Sequence, residues 1–140
     1  MENNVQITIS GLQRELDPEP TVVECEGSYV SRDGLYYLRF SEHDEASGAV
    51  TRSMIKLQPD HITVTKNGAV NSRLEFIPGR EYTTLYSTAF GDFETVIKTS
   101  QIQLVPSDTG IDALILYGLS MGGQEAVRCR LTIKAVPLQA

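Results

Sequence analysis

The feature that most limits how this chain can fold is an alternation of apolar and polar residues with a period of two. In Arg128–Ala135, Cys129, Leu131, Ile133 and Ala135 fall on one side of an extended chain; Arg128, Arg130, Thr132 and Lys134 fall on the other. Val5, Ile7 and Ile9 alternate with Gln6 and Thr8 in the same way. Such a pattern describes strands with one dry face and one wet face. No long stretch carries the helical period that would put apolar residues on one stripe. Leu12–Glu19 has room for one helical turn, which Pro18 and Pro20 limit.

Turn signals interrupt the alternation at short intervals: Asp33-Gly34, Asn67-Gly68, Pro78-Gly79, Phe90-Gly91-Asp92 and Gly122-Gly123. Asn67-Gly68 suits a two-residue hairpin turn, since both residues tolerate positive φ. Pro78-Gly79 suits the centre of a type II turn. The runs between these signals give candidate strands at 4–12, 21–31, 35–41, 49–57, 61–66, 71–77, 80–87, 92–104, 111–121 and 124–135. Many antiparallel strands on short turns build a sandwich or a barrel. In Gly110–Met121, Ile111, Ala113, Ile115, Tyr117 and Leu119 share one side while Leu114 and Leu116 occupy the other. A meander closed on itself accommodates such strands better than a Greek-key sandwich, and closure removes exposed edges. The expectation is one all-β domain over residues 1–140, an antiparallel meander closed into a barrel. About 8–10 strands close around an interior wide enough for packed side chains or one small ligand.

Composition narrows the classes of function. The chain is 41% hydrophobic and 21% charged, as globular proteins are, so disorder is not expected. Twelve Lys and Arg stand against eighteen Asp and Glu, a net charge of −6, and the positive charges are scattered. Nucleic acid is therefore not an expected partner. No apolar run is long enough to span a membrane, and the opening MENNVQITIS lacks the basic-then-apolar order of a signal peptide. A cytoplasmic location without membrane association is expected. Cys25 and Cys129 have no metal-like spacing and read as reduced, small hydrophobes.

Gly118-Leu119-Ser120-Met121-Gly122 matches the G-x-S-x-G elbow of esterases. An elbow serine sits between a buried parallel strand and a helix. Here the following QEAVRCRLTIKAV alternates with period two, so the glycines read as a bend between two strands. After Ser120 there is no histidine and no aspartate; both histidines, His43 and His61, come earlier. Glu42-His43-Asp44-Glu45 offers metal-ligand residue types, but adjacent loop residues seldom converge on one ion. His61, beside Asp60, reads as a residue flanking a turn. No phosphate-cradling G-x-x-x-x-G-K-[ST] and no G-x-G-x-x-G occurs. No catalytic set, metal site or cofactor site is expected.

One polar-aromatic region stands out. Asn71-Ser72-Arg73-Leu74-Glu75-Phe76 is followed, after Pro78-Gly79, by Arg80-Glu81-Tyr82-Thr83-Thr84-Leu85-Tyr86, and alternation puts Tyr82, Thr84 and Tyr86 on one face. An arginine or tyrosine turned into a barrel needs hydrogen-bond partners or a ligand that supplies them. The alternation does not say which face is inward. Together with "GSYVSRDGLYYLRFSE" and "KNGAVNSRLEF", the stretch "GREYTTLYSTAFGDFE" resembles the bacterial DUF1934 family of YwiB-like proteins. The resemblance extends over almost the whole chain, and Asn71-Ser72-Arg73-Leu74 and Tyr86-x-Thr88-x-Phe90-Gly91 are its most specific pieces. It implies a calycin-like barrel, similar in architecture to lipocalins, and hence a cup. The chain has no Trp, so the G-x-W motif of lipocalins is absent. The expected function is binding of a small, anionic ligand in the barrel, with Arg73, Tyr82 and Tyr86 as contacts and Asn71 and Ser72 shaping the rim. The alternative is a protein-interaction module with a packed core, binding a protein partner.

Overall fold

A computed structural model describes residues 2–13, 21–43, 48–68, 71–88, 91–107, 109–123 and 126–138; at 2, 3, 13 and 86–88 it describes the backbone alone. The segment 14–20, where the sequence allows a helical turn, lies outside these. Ten strands follow one another: β1 (Glu2–Gln13), β2 (Thr21–Arg32), β3 (Leu35–His43), β4 (Val50–Gln58), β5 (His61–Gly68), β6 (Ser72–Phe76), β7 (Glu81–Thr88), β8 (Gly91–Pro106), β9 (Ile111–Met121) and β10 (Val127–Pro137). Among the described residues there is no helix, and so none long and apolar enough to cross a membrane.

The strands form one antiparallel sheet in the order β6-β5-β4-β3-β2-β1-β10-β9-β8-β7. Every ladder but one joins neighbours in the chain. The exception pairs β1 with β10, from Val5↔Pro137 through Ile9↔Ile133 to Gln13↔Cys129. That pairing turns a meander into a nearly closed barrel, as the alternation and the turn spacing suggest.

The remaining seam lies between β6 and β7, which are consecutive yet share no ladder. Pro78-Gly79 does form the expected turn: Arg80 N donates to Ile77 O at 3.0 Å, and Gly79 has a φ of 80°. Gly79 N, however, donates to Thr99 O of β8 at 3.0 Å. The turn is thus pinned to β8 at the point where a bulge between Thr99 and Gln101 bends that long strand. Side chains close the seam from within, as Phe76 of β6 meets Tyr117 of β9 edge-to-face at 5.0 Å.

The Asn67-Gly68 turn is not where the sequence suggests. β5 runs on through Gly68, which pairs with Thr51. Residues 69–70 lie outside the described residues, and Asn71 is tied back to Gly68. Gly68 N donates to Asn71 Oδ1 at 3.2 Å, and Asn71 Nδ2 donates to Gly68 O at 3.1 Å.

The inner faces make one core. Ile7, Tyr29, Leu38, Ile55, Leu57, Ile62, Phe76, Ile97, Ile115 and Ile133 are fully or almost fully buried in it. These residues crowd toward one end, the base, where the turns after β2, β4, β6 and β8 lie. The mouth is the opposite end, with the connections after β1, β3, β5, β7 and β9. Ile115 is fully buried at the centre of β9. Ile115→Ala is expected to destabilise the fold by about 2–5 kcal/mol, the transfer term plus an unfilled cavity. A urea titration should show a lower midpoint with an unchanged slope.

Candidate functional site

The serine of the esterase-like motif sits in β9, paired with Val96 of β8 on the outer face. Gly122 and Gly123 take φ of 60° and 80°, and the next element is the strand β10. Ser120 therefore precedes a bend between strands, with none of the strand-to-helix geometry that exposes an elbow nucleophile.

Following the inner face from base to mouth, apolar side chains give way to polar ones at a common level on one wall. On β3, Phe40 is followed inward by Glu42; on β4, Ile55 gives way to Ser53 and Thr51; on β5, Val64 to Lys66; on β6, Leu74 to Ser72; on β8, Ile97 to Thr95. Register explains the alignment: Phe40↔Ser53, Ser53↔Lys66 and Lys66↔Ser72 form a single row across four strands. The facing wall stays apolar toward the mouth, with Ile9, Leu131 and Leu119 packed against the core.

Within the row, Lys66 Nζ donates to Glu42 Oε1 at 3.4 Å, with about 30% of each side chain exposed. Ser53 and Ser72 flank Lys66. They are 4% and 8% exposed, and neither hydroxyl has a hydrogen-bond partner among the described residues. Thr99 Oγ1, 2% exposed, is unpartnered as well. A buried hydroxyl without a partner costs free energy relative to water. Ser53 and Ser72 are the two residues that pair with Lys66 across the row. Cys25, on β2, also faces in; burial first, and the Glu42 carboxylate second, push its thiol up.

The residues singled out from the sequence are divided by the barrel wall. Ser72 points inward beside Lys66. Tyr82 is on the inner face, paired with Ile97, and is half-buried. Tyr86 pairs with Phe93 through its backbone, and its side chain lies outside the described residues. Arg73 is on the outer face, 61% exposed, with Nε 3.6 Å from Glu75 Oε2. Glu75 Oε1 in turn lies 2.9 Å from His61 Nε2, and Thr63 Oγ1 lies 3.3 Å from the same nitrogen. Arg73 thus belongs to an outer polar cluster and is not aimed into the cup. Asn71 is engaged in the Gly68 clamp. His61, expected only to flank a turn, is part of the same outer cluster.

Lys66, Glu42 and Ser53 carry the inner site and were not among the residues expected. The signal was in the alternation: Lys66 shares its parity with Ile62 and Val64, and Ser53 with Ile55 and Leu57. Of the charged loop at 42–45, Asp44 and Glu45 lie outside the described residues, Glu42 turns inward to Lys66, and His43 is exposed. Among the described residues no group of three His, Cys, Asp or Glu side chains is placed to hold a metal ion.

The class these features define is a ten-stranded meander barrel with an apolar base and a one-sided polar mouth. The chain belongs to the family described as "Domain of unknown function (DUF1934)", whose model matches residues 5–133. It is similar to the "Uncharacterized beta-barrel protein YwiB" of Bacillus subtilis (strain 168), with 24% identity over 105 residues, 75% of this chain and 72% of that one. The crystal structure of the ywiB protein from Bacillus subtilis superposes with a TM-score of 0.85 at 19% identity, covering 99% of this chain and 94% of that one. At that identity the likeness speaks to the fold, which is consistent with a calycin-like cup.

Both cysteines are free, and burial pushes the Cys129 thiol up as it does that of Cys25. A raised thiol pKa leaves less thiolate at a given pH. Both should therefore react with Ellman's reagent at pH 8 at least about tenfold more slowly than free cysteine, and at the free rate after unfolding in guanidinium.

Proposed function

We propose that this protein binds a small amphipathic molecule in the mouth of its barrel, an anionic group facing Lys66 and an apolar part facing Ile9, Leu119 and Leu131. The observation that carries this is the pair of buried hydroxyls, without a partner among the described residues, on Ser53 and Ser72, the two residues that pair with Lys66. A carboxylate or phosphate accepts from both hydroxyls and from an N–H of Lys66 that Glu42 leaves unused, since an ammonium has three donors. Exposed apolar side chains at the mouth, among them Val23 and Phe93, give the apolar part a way in. Tyr82, half-buried on the inner face of β7, adds a polar tip to the same wall. An internal barrel lined on one side by polar groups and on the other by aliphatic ones is the usual chemistry of a small-molecule pocket.

The experiment is a thermal-shift and calorimetric screen with medium-chain carboxylates and alkyl phosphates, in which a bound ligand raises the unfolding temperature. Lys66→Met should weaken the best of these roughly tenfold or more, the loss of one charge-assisted hydrogen bond. Glu42→Gln should strengthen it, because a neighbouring negative charge is removed. If no member of the panel shifts the wild type, or if Glu42→Gln weakens binding as Lys66→Met does, the polar row is an internal network and the proposal fails.

A further inference from the structure

The outer wall has a second, independent concavity. A groove of about 660 Å³ runs over β8, β9 and β10, within the size range of small-molecule sites. Its centre is Gly118, flanked across the strands by Lys98 and Arg128, which pair with it on β8 and β10. Leu116 and Val96 supply apolar surface, Arg130 lies beside Leu116, and Ser120 lines the same groove.

Gly118 is not required by the fold. Its φ is not positive, and a Cβ built on it would touch only Lys98 O, at 3.9 Å, an ordinary contact. Glycine inside a strand weakens it and commonly marks a place where a ligand or another backbone comes close. Here the missing side chain is what makes the groove. The charge also departs from that of the whole chain. Eighteen acids outnumber twelve bases overall, yet among the described residues three cations and one carboxylate, Glu81, line this groove. Cations around an apolar floor are complementary to an anion with an apolar body.

The geometry points to a small-molecule site at Gly118 for organic anions that combine an apolar ring or chain with a carboxylate, phosphate or sulfonate. The apolar body lies on Gly118, Leu116 and Val96, and the anionic group meets Lys98, Arg128 and Arg130. This also gives the outward Ser120 a place, as a hydroxyl at the groove wall.

The test uses 8-anilinonaphthalene-1-sulfonate, an aromatic sulfonate, titrated into the full chain with fluorescence as readout. The titration is made in a Lys66→Met background, so that the barrel mouth offers no cation; that chain should bind one equivalent, and affinity should fall with rising salt. Gly118→Phe, which fills the groove, should weaken binding at least tenfold while unfolding at the wild-type temperature or above. Lys98→Gln with Arg130→Gln should weaken it and flatten the salt dependence. Unchanged affinity in Gly118→Phe overturns the proposal. So does a wild-type dimer in sedimentation that Gly118→Phe converts to monomer, since a second copy would then be the occupant.

Discussion

The ladder between β1 and β10 is the contact on which the rest of the molecule depends. Every other pairing joins strands that follow one another and can form locally; this one joins the two ends of the chain. Nine residue pairs hold it, and it is reinforced within the ladder by Thr132 Oγ1 donating to Ser10 O at 3.3 Å, and beyond its Val5↔Pro137 end by Leu138 N donating to Asn4 O at 3.1 Å. Without it the strands fall into two separate antiparallel sheets, β1–β6 and β7–β10, each with an apolar face and nothing to cover it. Closing so long a loop has an entropic cost, and a topology that completes itself by such a contact is expected to fold slowly.

Closure also decides what each side chain faces. Once Ile7, Ile9 and Ile133 are committed to the interior, register carries the assignment around the barrel strand by strand, because a slip of one residue would turn every side chain over. This is how Glu42, Ser53, Lys66 and Ser72 come to line the mouth together although they lie on four different strands. The same logic puts Lys98, Gly118 and Arg128 side by side on the outer wall. The charges are sorted as well: ten of the twelve Lys and Arg lie on strands, against nine of the eighteen Asp and Glu. The remaining acids sit in the connections, so a net negative protein has a wall on which cations can gather.

The strands were legible because period-two alternation and turn residues agree with one another, and each of the ten overlaps a run read from the sequence. The bend at Gly122-Gly123 was legible because alternation resumes in β10. The turn at Asn67-Gly68 was misplaced because dipeptide preference is local, whereas the pairing of Gly68 with Thr51 and the Asn71 clamp are not. The candidate site was only half legible. In 71–87 both faces carry polar residues, so the alternation fixes which side chains are together without fixing which set is inside. The choice is made by Val64 and Ile62, which bring Leu74 and Phe76 inward and leave Arg73 out. Gly118 could not be read as a groove at all, since nothing in a sequence distinguishes a glycine the backbone needs from one it does not.

Native-state hydrogen exchange measured by NMR tests the closure most directly, because it gives an opening free energy for each strand. If the end-to-end ladder completes the barrel, amides in the paired segments 5–13 and 129–137 that bond across it should exchange only through global unfolding. Their opening free energy should equal that of core amides around Ile55 and Ile115. Exchange of the terminal pair at a distinctly lower free energy, with β3, β4 and β5 still fully protected, would show that the remaining sheet stands without it and would contradict the account.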